Sequence, residues 1–97
     1  MHKIIFHPDI EYEVEASYEW YENQSFGLGD DSLNELEAAY QTISELPSTW
    51  PEFHKNFRRF LLSKFPFSAI YRFEEETAYV VAIMHNRRKL GYWIKRT

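Results

Sequence analysis

The sequence predicts an α+β domain of two layers in the order β-α-α-β-β-β, with a helical hairpin packed on one face of a mostly antiparallel sheet. Three observations predict it. A short apolar run at residues 3–7 stands before any helical pattern. Two stretches between residues 9 and 46 repeat apolar residues at three- and four-residue steps, and three apolar segments then follow closely between 57 and 85. With 97 residues the chain forms a single domain, residues 1–97, large enough for one core.

The first strand, residues 3–7, is stopped by Pro8, which suits the first turn of a following helix. In residues 9–23, Ile10, Val14, Ser17/Tyr18 and Tyr21 share one helical face, while Glu11, Glu15, Glu19 and Glu22 spread over the others as solvated charge. Asn23 to Gly29 contains two glycines and no period, so the chain turns there, and Asp30 or Asp31 is expected to cap the second helix. Leu33, Leu36, Tyr40, Ile43 and Leu46 form that helix's apolar stripe, ended by Pro47. Joined by so short a link, the two helices should lie antiparallel.

Residues 48–56 carry Trp50, Pro51, Phe53 and His54 without a period and read as an irregular crossing. Strands are expected at residues 57–63, 67–73 and 77–85. In the second, Phe67, Ala69, Tyr71 and Phe73 alternate with Ser68, Ile70 and Arg72, the period of a sheet strand. Glu74-Glu75-Glu76 turns the last two into a hairpin. Residues 79–84 are apolar on both faces, as expected of an interior strand.

Composition narrows the class. Apolar residues at 44% and charged residues at 27% are ordinary for a globular protein, and 19% aromatics is high. With no cysteine, disulfides and thiolate metal sites are excluded, and a reducing cytoplasm is the expected location. No stretch approaches membrane-spanning length, and the N-terminal apolar run is too short for a signal peptide, so no membrane partner is expected. His2, His7, His54 and His85 are scattered without ligand spacing, and no phosphate-cradling glycine loop or nucleophile elbow occurs. Neither a metal nor a cofactor is expected.

The net charge of −4 conceals a polarity along the chain: residues 1–53 carry twelve acids against Lys3, net −11, and residues 54–97 carry ten cations against three glutamates, net +7. The second half is the anion-facing half. Arg58 and Arg59 are adjacent on a strand and must point to opposite faces, with Arg72 on the next strand. Together with Arg87, Lys89, Lys95 and Arg96 they are candidate nucleic-acid or partner contacts. His85 ends an apolar strand beside Arg88, whose charge favours the neutral imidazole a general base requires, and Tyr92 can stack or carry a proton. His85, Arg88 and Tyr92 are therefore the candidate catalytic residues, with a strand-end hydrogen bond to a carbonyl the alternative for His85, core packing that for Tyr92, and surface pairing with glutamates that for the strand arginines. Trp93 is expected to close the core.

Trp20-Tyr21, Gly27-Leu28-Gly29, Leu46-Pro47, Phe57-Arg58-Arg59, Phe65-Pro66-Phe67 and Ile70-Tyr71, in this order and ending on His85…Arg88…Gly91-Tyr92-Trp93…Arg96, resemble the RelE/ParE superfamily of toxins, in particular its plasmid stabilisation branch. The resemblance covers nearly the whole chain. It implies a RelE-like fold and a cytoplasmic toxin of a type II toxin–antitoxin system, neutralised by a cognate small antitoxin. It also implies one of two targets: the ribosome and its mRNA, cut by RelE-like members as metal-independent endoribonucleases (mRNA interferases), or DNA gyrase, poisoned by ParE-like members. The alternative is a degenerate module that only binds its antitoxin. The arginine that RelE-like nucleases place on the middle strand falls here on Ser68, while Arg88 and Tyr92 match the pair expected after the last strand and His85 is a candidate base.

Overall fold

Pro8 cannot donate to a sheet ladder, and the first strand, β1 (Lys3–Phe6), ends two residues before it. The helix α1 (Ile10–Gln24) follows, then α2 (Leu28–Glu45), β2 (Glu52–His54), β3 (Phe57–Leu61), β4 (Phe67–Glu74), β5 (Thr77–His85) and a single 3₁₀ turn, Ile94–Arg96. This computed structural model describes residues 1–88 and 91–96. The five strands form one sheet in the order β1-β5-β4-β3-β2, antiparallel except for the parallel pair β1 and β5. The α+β class and the helical hairpin on one sheet face are as expected.

The sheet has one strand more than the sequence pattern predicts. Residues 52–54, expected to be irregular, pair with β3 through Glu52↔Arg58 and His54↔Phe57. All three are exposed at the sheet edge, so they carry no alternation by which to be recognised. At the β4–β5 hairpin Glu75 and Glu76 take φ of 49° and 62°, the left-handed pair of a two-residue turn whose twist suits the strands.

The expected carboxylate cap on α2 is also replaced. Asp30 and Asp31 lie inside the helix, whose first residue is Leu28 and whose N-cap is Gly27 at φ 87°. The free N–H groups of Gly27 and Gly29 donate instead to the two oxygens of Glu22, at 3.0 and 2.9 Å. One carboxylate at the end of α1 thus satisfies two donors at the start of α2, in the field that favours negative charge there. Along α2 the buried apolar side chains are Leu36, Ala39 and Ile43, while Leu33 and Tyr40 are half-buried and Leu46, past the last turn, is exposed.

Two apolar clusters sandwich the sheet. On the helix side Ile10, Leu36 and Ile43 pack on Ala69, Tyr71, Ala78, Val80 and Ile83. On the other side Phe57, Ile70, Val81, Ala82 and Met84 pack around Trp93. The second sheet face, which the helices leave uncovered, is therefore covered in part by the chain's own C-terminal segment. Residues 78–84 are apolar because both faces of β5 are covered, and Val81 breaks its alternation: the register passes from Tyr71↔Val80 to Ile70↔Ala82, leaving Val81 as an extra residue. Even-numbered residues face the helices before this bulge and Ile83 faces them after it.

Candidate functional site

After His85 the chain turns back across the sheet. The N–H of Arg88 donates to the carbonyl of His85 at 3.0 Å and that of Asn86 to the carbonyl of Pro66 at 2.8 Å. Gly91, at φ 105°, opens the second turn, in a region costly to any residue with a Cβ. Trp93 then buries completely, with Phe57 at 6.1 Å and Phe53 at 5.9 Å between ring centroids.

The centre of this arrangement is Glu13 of α1. β1 accompanies β5 only as far as Val80, so the next stretch of that edge lacks a strand partner. One oxygen of Glu13 accepts the Ile83 N–H at 2.9 Å, and the other accepts the Tyr92 hydroxyl and the Arg96 guanidinium, each at 2.9 Å. Arg96 also donates to the Val81 carbonyl at 3.1 Å and lies 3.7 Å from Asp9. Two side chains thus occupy backbone positions a neighbouring strand would otherwise fill. Arg88 stacks on the Tyr92 ring at 3.6 Å, with Arg96 at 4.9 Å. Burial above all, and then the bond to Glu13, pushes the Tyr92 phenol well above its ordinary range.

His85 stands with its ring edge-on to Phe67 at 5.2 Å, and its Nδ1 accepts the Arg87 N–H at 3.1 Å. An Nδ1 that accepts carries no proton, so in the neutral ring the proton sits on Nε2, which then donates rather than accepts. His85, Arg88 and Arg96 line one groove of about 520 Å³ along the β5 edge with Asp9, Tyr12, Glu13, Trp20 and Phe67. Tyr12 and Trp20 are 71% and 59% exposed, so large aromatics rim this groove.

The remaining candidates are distributed over the sheet. Arg58 and Arg59 do point to opposite faces. Arg58 donates to the Trp50 carbonyl at 2.6 Å and lies 3.6 Å from Glu52, tying the crossing segment to β3. Arg59 donates to Ser68 Oγ at 3.0 Å and to Asn86 Oδ1 at 3.1 Å, and Ser68 in turn donates to Asn86. Ser68 is fully buried, so this position, where the nucleases carry an arginine, is a structural clamp between β3, β4 and the turn after β5. Arg72 pairs with Glu74 at 3.5 Å and covers Tyr79 at 4.8 Å. Arg87 and Lys95 are exposed, and Lys89 lies outside the described residues.

Sequence reasoning treated the glutamates of the first helix as solvated charge and missed Glu13 and Glu22. Neither role is signalled locally, because each carboxylate's partners lie in other elements. The spacing of Tyr12, Ala16 and Trp20 at four-residue steps does signal an apolar stripe apart from the buried one. Among the described residues no group of three acidic, histidine or cysteine side chains is placed to hold a metal, and no helix is long and apolar enough to cross a membrane.

No protein-family model matches the chain, and no curated protein matches it in sequence. Among solved structures, a chain of the chromosomal ParDE TA system from P. aeruginosa superposes with a TM-score of 0.65 at 16% identity, over 88% of this chain and 96% of that one. This chain shares that chain's fold. Within it the C-terminal turn, α1 and the β5 edge of this chain lie together, and Glu13 ties the three to one another.

Proposed function

We propose that this chain is the toxin of a type II toxin–antitoxin pair, restrained by a small antitoxin, and that it arrests growth by binding its target rather than by cutting RNA. The observation that carries this reading is the state of the tail's proton-handling groups. The Tyr92 hydroxyl is committed to Glu13, and His85 accepts through Nδ1, which leaves no lone pair on Nε2 for a substrate hydroxyl. Ser68, in place of a catalytic arginine, supports the same conclusion, since the one guanidinium beside it, that of Arg59, is held by Ser68 and Asn86. A RelE/ParE toxin without a cleavage set fits a topoisomerase such as DNA gyrase as target, and the groove with Tyr12, Trp20, Arg88 and Arg96 offers the aromatic and cationic anchors protein interfaces favour.

Inducible expression tests this directly. Growth arrest with intact transcripts, together with loss of gyrase supercoiling on addition of the purified chain, is the expected result. Transcripts cleaved in a His85-dependent manner would replace this reading with ribosome-dependent RNA cleavage. Normal growth on expression would leave only the degenerate, antitoxin-binding module.

A further inference from the structure

The carboxylate of Glu22 closes one end of α2, and a histidine just before β1 closes the other. The last carbonyls of a helix lack partners within it, and that end favours positive charge. The last turn of α2 holds no lysine or arginine. His2 supplies the missing donors: its N–H reaches the Ser44 carbonyl at 2.8 Å and its ring Nδ1 reaches the same oxygen at 3.0 Å, while Ser44 Oγ donates back to the His2 carbonyl. On the other side of the ring, Nε2 lies 2.9 Å from the carboxylate of Glu76 in the β4–β5 turn. Phe73 meets the ring edge-on at 5.2 Å. One imidazole thus joins the start of β1 to α2 and to the hairpin.

Both oxygens that face the ring only accept. A neutral imidazole has one N–H and one lone pair, so it satisfies one of them and turns a lone pair on the other at hydrogen-bond distance. Only the imidazolium donates to both. The surrounding charges favour it: Glu76 from the hairpin and Glu45 from the end of α2 line the groove that His2 borders, Phe73, Pro47, Ser48 and Thr49 add none, and among the described residues no lysine or arginine lines it. The cations of its own segment, Lys3 and the amino group of Met1, belong to exposed residues. The strand fastened there has little else to hold it. β1 is four residues long, three of them exposed, and stands at the sheet edge with β5 as its only strand neighbour. We infer that His2 is a proton-operated clasp on the first strand: as imidazolium it fastens β1 to α2 and to the β4–β5 turn, and once neutral it releases one of the two and the edge strand loosens. The clasp is closed on the acid side of the range in which imidazole titrates and opens as pH rises through it. The opening is local to β1, and it is independent of what the chain binds.

The test uses the ¹⁵N-labelled full chain at about pH 5.5, 7 and 8.5, spanning the imidazole range. Two quantities are read: the ring nitrogens of each histidine, and hydrogen exchange of the β1 amides corrected for its intrinsic pH dependence. At about pH 7 His2 should still carry both ring protons when the exposed His54 has largely lost one. Exchange in β1 should quicken about threefold or more from the lowest pH to the highest, while β4 keeps its rates. In His2→Gln, whose amide donates on one side only, the quickening should fall below about twofold, and in Glu76→Gln it should shrink. Glu76 is 81% exposed, so its variant leaves the fold intact. His7, at the far end of β1, makes the opposite demand, because its Nδ1 accepts the Asp9 N–H at 3.1 Å, and His7→Gln should not reduce the effect. A bare ring nitrogen on His2 at the lowest pH, loss of its ring proton together with that of His54, or the same pH dependence of β1 exchange in His2→Gln as in the unaltered chain would each overturn the inference.

Discussion

Replacing Glu13 by alanine should destabilise the chain more than any other single carboxylate change. The substitution strands two neutral donors, the Ile83 N–H and the Tyr92 hydroxyl, and removes the 2.9 Å partner of Arg96. A lost neutral hydrogen bond costs about 1 kcal/mol and a charge-assisted one about 2 kcal/mol. Arg96 keeps the Val81 carbonyl and, at 3.7 Å, Asp9, which offsets part of its loss. The sum is about 3 kcal/mol. With a urea dependence of about 1.5 kcal/mol per molar for a domain of this size, the midpoint falls by about 2 M. Glutamine does not rescue fully, because both Glu13 oxygens only accept and the amide nitrogen would face a donor. Tyr92→Phe alone should cost about 1 kcal/mol, and the double variant less than the two singles added, since both remove one bond. Urea unfolding followed by far-ultraviolet circular dichroism and tryptophan emission measures all three. A loss below about 1 kcal/mol for Glu13→Ala, or strict additivity with Tyr92→Phe, would refute the role assigned to this carboxylate.

Trp93→Ala should cost about 3–5 kcal/mol in the same assay, because a fully buried indole leaves a void. Trp93→Phe should cost much less, since the Nε1 that it removes has no hydrogen-bond partner among the described residues. Glu22→Ala frees the Gly27 and Gly29 N–H groups and should lower stability by about 1–2 kcal/mol, read as a lower unfolding temperature. Alkaline stability carries a defined sign. Burial pushes the Tyr71 phenol up to about 12 and raises Tyr40 and Tyr92 as well, so the folded chain retains protons that the unfolded chain loses above its ordinary tyrosine value of 10.0. Stability is therefore whole below pH about 10 and falls as pH rises towards 12, which a tyrosine absorbance titration would record as late ionisation coincident with unfolding. Ionisation of all seven tyrosines near pH 10 in a still folded chain would contradict it.

Most of the architecture was legible because it is written in periodicity. The stripes of α1 and α2 and the alternation in β4 require only local spacing, and the three long strands fall within two residues of where the pattern places them. β2 was illegible because three exposed residues leave no alternation. The α2 cap was illegible because the carboxylate that supplies it belongs to the preceding helix. The candidate site was legible in part: His85 and Arg88 do line one groove, and Tyr92 lies directly behind Arg88. The sequence could not reveal that Arg58, Arg59 and Arg72 hold the sheet together, because a charged side chain on a strand reads the same whether it faces a ligand or a neighbouring serine.

The extra residue at Val81 has a consequence for how this chain can change. Because it rephases β5, it determines whether His85 leaves the sheet towards the groove or towards the opposite layer, four residues before the turn begins. A one-residue insertion between Ala82 and Ile83 would move Ile83 and Met84 to the wrong layers and take the Ile83 amide away from Glu13, whereas loss of Val81 itself would leave the pairs Ile70↔Ala82 and Ala69↔Ile83 in place. Length variation is then tolerable at the Glu75–Glu76 hairpin and at the bulge itself, and intolerable between the bulge and His85. The geometry of the tail is inherited from a strand whose own sequence contains no aspartate, glutamate, lysine or arginine.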